Sequence, residues 1–173
     1  TASGSSSFAF GTSAKAVQIG KFAFGGSDVI GGTTAAAIQS GKIVLRRATT
    51  DATATVLTSN GVAATTTNQC ILANSQAMTI TGSVICRQSV AQSDKASGWT
   101  FTAVIRRGAT AASTALVAAV VPVLVAQDVS LAATVLAVTA DTTNGGLAVT
   151  ATGIAATNLY WVCVIDSAEI TYA

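Results

Sequence analysis

Apolar residues alternate with small or polar ones at a period of two along most of this chain. That spacing sends successive side chains to opposite faces of a strand. Phe8-Ala9-Phe10-Gly11 shows it first, and Phe22-Ala23-Phe24-Gly25 repeats it fourteen residues later. Each copy closes on glycine, where a backbone turns at small cost. A short fixed period of strand and turn predicts a β-roll or solenoid segment over residues 1–25. Fewer than two full repeats are present, and so few coils cannot bury their own faces. The segment is therefore expected to order only beside neighbours, either other chains or further coils.

Residues 26–41, with Gly25-Gly26 and Gly31-Gly32, read as a connector. Strands are predicted at Lys42–Arg47, Thr53–Thr58, Gln69–Leu72, Met78–Gln88, Trp99–Ile105, Thr134–Ala140, Leu147–Thr152, Leu159–Ile165 and Glu169–Tyr172. Asn60-Gly61 is a turn signal and Asn144-Gly145 a hairpin signal. Gly82 interrupts the face made by Met78, Ile80, Val84 and Cys86, which predicts a bulge or a close neighbour. Trp161, Cys163 and Ile165 should face one way, and Tyr160, Val162 and Val164 the other. Thr114 to Val125 is apolar at every parity and contains Pro122. It reads as two strands broken near the proline, buried on both sides or lying at a subunit contact, with Val117 to Val125 the candidate contact. Short strands punctuated by turns, without an amphipathic helix, predict an all-β chain. Residues 42–173 would form an antiparallel β-sandwich of jelly-roll type.

Composition narrows the class. Of 173 residues only 9% are charged, against ~25% in an average domain. Threonine, serine and alanine must then cover much of the surface, which suits an extracellular or virion protein. A net charge of +2 is too small to make nucleic acid the expected partner. The longest apolar run, Ala115 to Ala126, has twelve residues, where ~20 would span a bilayer. No membrane insertion is expected, and no signal peptide is visible. Cys70, Cys86 and Cys163 have neither disulfide-framework nor zinc spacing, and read as small apolar side chains in strands. No cofactor or metal is expected.

Gly4-Ser5-Ser6-Ser7-Phe8-Ala9-Phe10-Gly11-Thr12-Ser13-Ala14-Lys15-Ala16 resembles the head repeat of trimeric autotransporter adhesins, Gly-x-x-Ser-x-Ala-x-Gly-x-x-Ala-x-Ala. The resemblance implies three chains coiled as β-rolls about a threefold axis. The second copy departs from the repeat. Gln18 stands where glycine is expected, Lys21 where serine is, and Asp28 where alanine is, so an irregular terminal coil is expected.

A second resemblance covers Lys42 to Ala173. Four stretches carry it: Val44-Leu45-Arg46 with Thr49-Thr50-Asp51-Ala52-Thr53; Gly98-Trp99-Thr100-Phe101 running into Ile105-Arg106-Arg107-Gly108-Ala109; Thr139 to Leu147; and Trp161-Val162-Cys163 with Glu169-Ile170-Thr171-Tyr172. It is similar to the C-terminal domain of structural fibre proteins from tailed phages. This implies a homotrimer on the virion, on a tail fibre or the capsid exterior, with other virion proteins as partners and a part in host attachment. The alternative is a head fibre or capsid-decorating protein without a receptor role. A polysaccharide-degrading tailspike is the weaker third reading.

Catalytic chemistry is poorly supplied. With no histidine, Ser-His-Asp and Cys-His arrangements are impossible within the chain, and no enzyme is expected. Asp51, Asp94 and Asp141 sit in turns, where carboxylates bond backbone amides. Asp166 and Glu169, three apart, are a conceivable glycosidase pair, although acids at strand ends are ordinary. Arg46, Arg47, Arg87, Arg106 and Arg107 could take an anionic host-surface glycan; otherwise they serve ion pairs or subunit contacts. Trp99 reads as core packing rather than a stacking platform.

Overall fold

The period-two stretches become strands. The structure, a computed structural model, describes residues 1–27, 38–91 and 93–171. β1 (Phe8–Gly11) and β2 (Phe22–Ser27) pair in parallel, Phe8 beside Phe22 and Phe10 beside Phe24. Ala2 bridges Ala16 at the same offset on the opposite wall of the coil. Ala14, Ala16 and Ala23 pack between the walls, with Ala9 half-buried against them. Methyl-sized side chains fit here because the two walls lie too close for larger ones.

β2 then pairs antiparallel with β3 (Ile38–Thr49). Coil and sandwich thus share one sheet. Both ends of the expected connector are strand, and its middle, residues 28–37, lies outside the described residues together with Asp28. β4 (Ala54–Val56), β5 (Cys70–Ile71), β6 (Gln76–Gln88), β7 (Ala96–Arg107), β8 (Ala115–Leu116), β9 (Val123–Gln127), β10 (Val135–Asp141), β11 (Gly146–Thr152) and β12 (Leu159–Thr171) follow. The larger sheet runs β1-β2-β3-β12-β6-β7, with β8 and β9 both on the outer edge of β7. The smaller runs β10-β11-β4, and β5 also pairs with β11. β6–β7 and β10–β11 are antiparallel hairpins, each kept within one sheet.

The inward residues of both sheets form one core. Leu45, Ile80, Phe101, Trp161 and Ile165 of the larger sheet meet Leu136, Val138, Leu147 and Val149 of the smaller. Trp99 is core, its ring stacked on that of Trp161 at 5.6 Å, and Trp161 Nε1–H donates to Thr49 Oγ1 at 3.0 Å. Gly82 has a close neighbour and no bulge. A Cβ there would lie 2.1 Å from Phe101 Cζ, and the register of β6 with β7 and β12 runs through it unbroken.

Two expectations need correction. Leu159–Ile165 and Glu169–Tyr172 are one strand through Thr171, because the inward parity of Leu159, Trp161, Cys163 and Ile165 continues through Ser167 and Glu169. Of the two placements expected for Thr114 to Val125, burial on both sides is not found within one chain. The stretch breaks at Pro122 as expected, but it lies along the edge of β7, where Val117, Val121, Val123 and Val125 are exposed.

Candidate functional site

The outer face of the larger sheet carries two unlike ends. Strand pairing places Phe8, Phe22, Lys42, Asp166 and Thr81 in one row across it. Phe8 stacks on Phe22 at 5.2 Å and Phe10 on Phe24 at 5.7 Å, and all four rings are exposed. Ile38, Val44 and Ile170 extend this apolar end on the same face and are likewise exposed. Tyr160, also exposed, belongs to the other end. Six residues of β12 separate it from the Asp166 row, about 20 Å at ~3.4 Å per residue.

The five arginines divide between the two ends. Arg46 pairs with Val162 in the β3–β12 register, next along the face from Tyr160, and Arg87 lies directly beside Tyr160 on β6. Arg106 lines up through Ala77 with Ile170, eight residues from Val162 or about 27 Å away at ~3.4 Å per residue. The structure therefore sets Arg46 and Arg87 on either side of the Tyr160 strand, brings Arg47 to the same Asn60-Gly61 turn as Arg46, and leaves Arg106 and Arg107 apart from all three. Arg107 turns inward, and its guanidinium donates to Leu72 O at 2.7 Å. Arg87 pairs with Asp94 through Nε, 2.9 Å from Oδ1, and a second guanidinium nitrogen on the same oxygen. Arg47 donates to Gly61 O at 2.8 Å, and Arg46 makes a long contact of 3.4 Å with Asn60 O. Beside Tyr160 lies a depression of about 370 Å³ lined by Arg46, Arg47, Ala48, Asn60, Gly61 and Val162.

A second polar cluster joins coil to sandwich. Lys21 Nζ lies 2.7 Å from Glu169 Oε1 and 2.8 Å from Oε2, with the two side chains 8% and 1% exposed. Ser167 Oγ donates to Oε1 at 2.7 Å, Gln39 Nε2 to Oε2 at 2.6 Å and Gln76 Nε2 to Oε2 at 3.2 Å. Every lone-pair direction of the carboxylate is thus used, which a buried ion pair requires if it is not to destabilise the fold. Gln39 also grips the backbone of Lys15, accepting from its N–H at 2.9 Å and donating to its carbonyl at 3.1 Å. Gly41 makes room for the carboxylate, since a Cβ there would stand 2.3 Å from Glu169 Oε1. Gln18 Nε2 donates to Ile71 O at 2.9 Å. Its Oε1 is buried without a partner among the described residues, beside a cavity of about 160 Å³ that is large enough for water.

Sequence reasoning did not assemble this cluster, although two signals were present. Gln18 and Lys21 are departures from the coil repeat. Gln39, Gln76 and Glu169 continue the inward parity of three neighbouring strands in polar form.

The conceivable Asp166–Glu169 pair is not formed. Three residues apart on a strand means opposite faces; Asp166 is exposed and pairs with Lys42 at 3.1 Å, whereas Glu169 is buried against Lys21. Asp51 and Asp141 act as turn acids. Asp51 Oδ1 accepts from the Thr53 N–H at 2.7 Å, which holds its carboxyl below the usual value. Burial pushes the Asp141 carboxyl up, but donors from the side chain and backbone of Asn144 and the backbone of Thr143 outweigh it and hold it low. The three cysteines are free and buried. Burial pushes the Cys70 and Cys163 thiols up to about 12 and Cys86 up to about 11, so at neutral pH they are unreactive thiols. Among the described residues no three His, Cys, Asp or Glu side chains gather as a metal set would, and no helix is long and apolar enough to cross a membrane.

In comparisons with protein-family models, curated proteins and solved structures, nothing matches this chain.

Proposed function

We propose that this chain is a virion structural protein of a tailed phage, a fibre domain that assembles as a homotrimer and contributes to host attachment. One observation carries the reading. Four stacked phenylalanines stand 44–59% exposed on a face that continues without a break into the sandwich. Contiguous apolar surface of that kind marks a contact with another macromolecule. A coil that covers only three alanines gains little from its own core, so packing of the phenylalanine faces of three copies supplies the missing burial. Few charges oppose such contact, and the face near the rings holds one ion pair, Lys42–Asp166, neutral in sum. The resemblances to adhesin head repeats and phage fibre domains agree with this reading.

Native mass spectrometry tests the assembly. The expected mass is three chains. A monomer with intact fold overturns the trimer. Labelled antibody on intact virions tests the location: decoration of a fibre tip is expected, and decoration of the capsid surface replaces attachment by a head-fibre or decorating role.

A further inference from the structure

We infer that the depression beside Tyr160 is a subsite for an acidic sugar residue, with the sugar ring face on Tyr160 and the carboxylate held by Arg46 and Arg47. The inference names the ligand class for the attachment reading and rests on it for the choice of a glycan. Three observations carry it.

Tyr160 is 61% exposed, and no other described ring stacks on it. A tyrosine standing on a sheet face offers a flat apolar surface with a polar tip, which matches the C–H face and hydroxyls of a pyranose. It lies about 20 Å from the phenylalanine rows at ~3.4 Å per residue of β12, so contact between copies at those rings leaves it open.

Positive charge at this spot is uncommitted. Lys21, Lys42 and Arg87 each have a carboxylate partner. Arg46 and Arg47 have none among the described residues and touch only backbone carbonyls. Here both guanidiniums reach one turn, Asn60-Gly61, beside an exposed aromatic ring. A guanidinium fork matches a carboxylate with two parallel bonds, a geometry lysine cannot give.

The arrangement is also held in place. Arg47 is anchored by Gly61 O at 2.8 Å, and Gly61 sits in a turn at φ +76° that brings that carbonyl to the rim. An anchored fork loses less freedom when a ligand arrives.

The test uses the whole protein and titration calorimetry with an oligosaccharide of glucuronic acid, its carboxyl-reduced neutral counterpart, and inorganic phosphate. Binding of the acidic oligosaccharide is expected. Carboxyl reduction, Tyr160→Ala and Arg46→Gln should each weaken it by about tenfold or more, the loss of one charge-assisted bond or one stacking contact. Arg106→Gln, on the same face but remote, should leave binding unchanged, and melting should be unchanged in all three variants. No binding, equal binding of the neutral sugar, or equal weakening by Arg106→Gln overturns the subsite. Phosphate binding as tight as the acidic sugar would show a general anion site and also overturn it. Adsorption of intact virions separates this from the attachment reading. Sugar binding lost in Tyr160→Ala with normal adsorption keeps the subsite and removes its part in attachment. Adsorption blocked by antibody to this protein, without any sugar binding, keeps attachment and removes the subsite.

Discussion

The coil covers three alanines, Ala14, Ala16 and Ala23, whereas the sandwich closes two sheets over Trp99, Trp161, Phe101 and a full set of aliphatic side chains. Both are built from period-two strands, yet they are stabilised differently. Each buried large side chain of the sandwich contributes roughly 1.5–3 kcal/mol, so that part has its own reason to fold. The coil draws on its surroundings: backbone pairing of β2 with β3, stacking of exposed rings, and the buried Lys21–Glu169 pair. Gln18 and Lys21, two of the departures from its repeat, both send their side chains into the sandwich. Irregularity in the second copy is thus the means by which a repetitive strand becomes attached to a non-repetitive domain.

The strongest way to break this comparison is Glu169→Ala. It leaves the Lys21 charge buried without a partner, which should cost about 3–5 kcal/mol. Hydrogen exchange should then show residues 1–27 losing protection while the centres of β6, β7 and β12 keep theirs. Equal loss everywhere would mean that coil and sandwich fold as one unit. Gly82→Val acts on the sandwich instead, by driving a side chain into the Phe101 ring. Overpacking of this kind should cost about 1–3 kcal/mol, read as a lower melting temperature with no preferential release of the coil.

Phe10→Ser sharpens the comparison at the surface. Within one chain it removes a stacked pair worth about 0.5–1.5 kcal/mol. If the rings are also the contact between copies, sedimentation will show a larger loss of assembly than of fold. Val121→Asp probes the other exposed apolar strip, along the edge of β7, where Val121 is 81% exposed. A charge there should weaken assembly if that strip is a contact, and normal assembly and melting would remove it from the interface.

The smallest effect is one of pH. The Asp141 carboxyl is held below its ordinary value of 3.8 in the fold. A lowered folded value stabilises the protein while the carboxylate is charged. That contribution is complete above 3.8 and is lost as pH falls through the lower folded value. Asp141→Asn should therefore flatten the acid limb of a stability–pH curve and leave neutral-pH exchange of the coil untouched.

Much of the fold was legible in the chain because alternation is a local property. Met78–Gln88 shows its inward face in its own letters, and Asp141 to Gly146 announces a hairpin that forms. Leu159 to Thr171 was harder. Ser167 and Glu169 keep the inward parity but are polar, so the apolar pattern stops where the strand does not. The arginines illustrate the same limit for the candidate site. Nothing along the chain tells that Arg46 and Arg87 lie on either side of the Tyr160 strand while Arg106 lies far from both.

The sequence by itself determined strand parity, turn positions, a fourteen-residue coil period and the absence of histidine chemistry. Each of these depends on residues within a few positions of one another, or on composition alone. Only the tertiary structure decided that the coil enters the same sheet as the sandwich, that Lys21 meets Glu169 across the chain, and that Thr114 to Val125 lies on an open edge. Those outcomes depend on strand order, and strand order is set by how two whole sheets share one core. No local pattern carries that information, so the contacts between distant residues had to be read from the folded molecule.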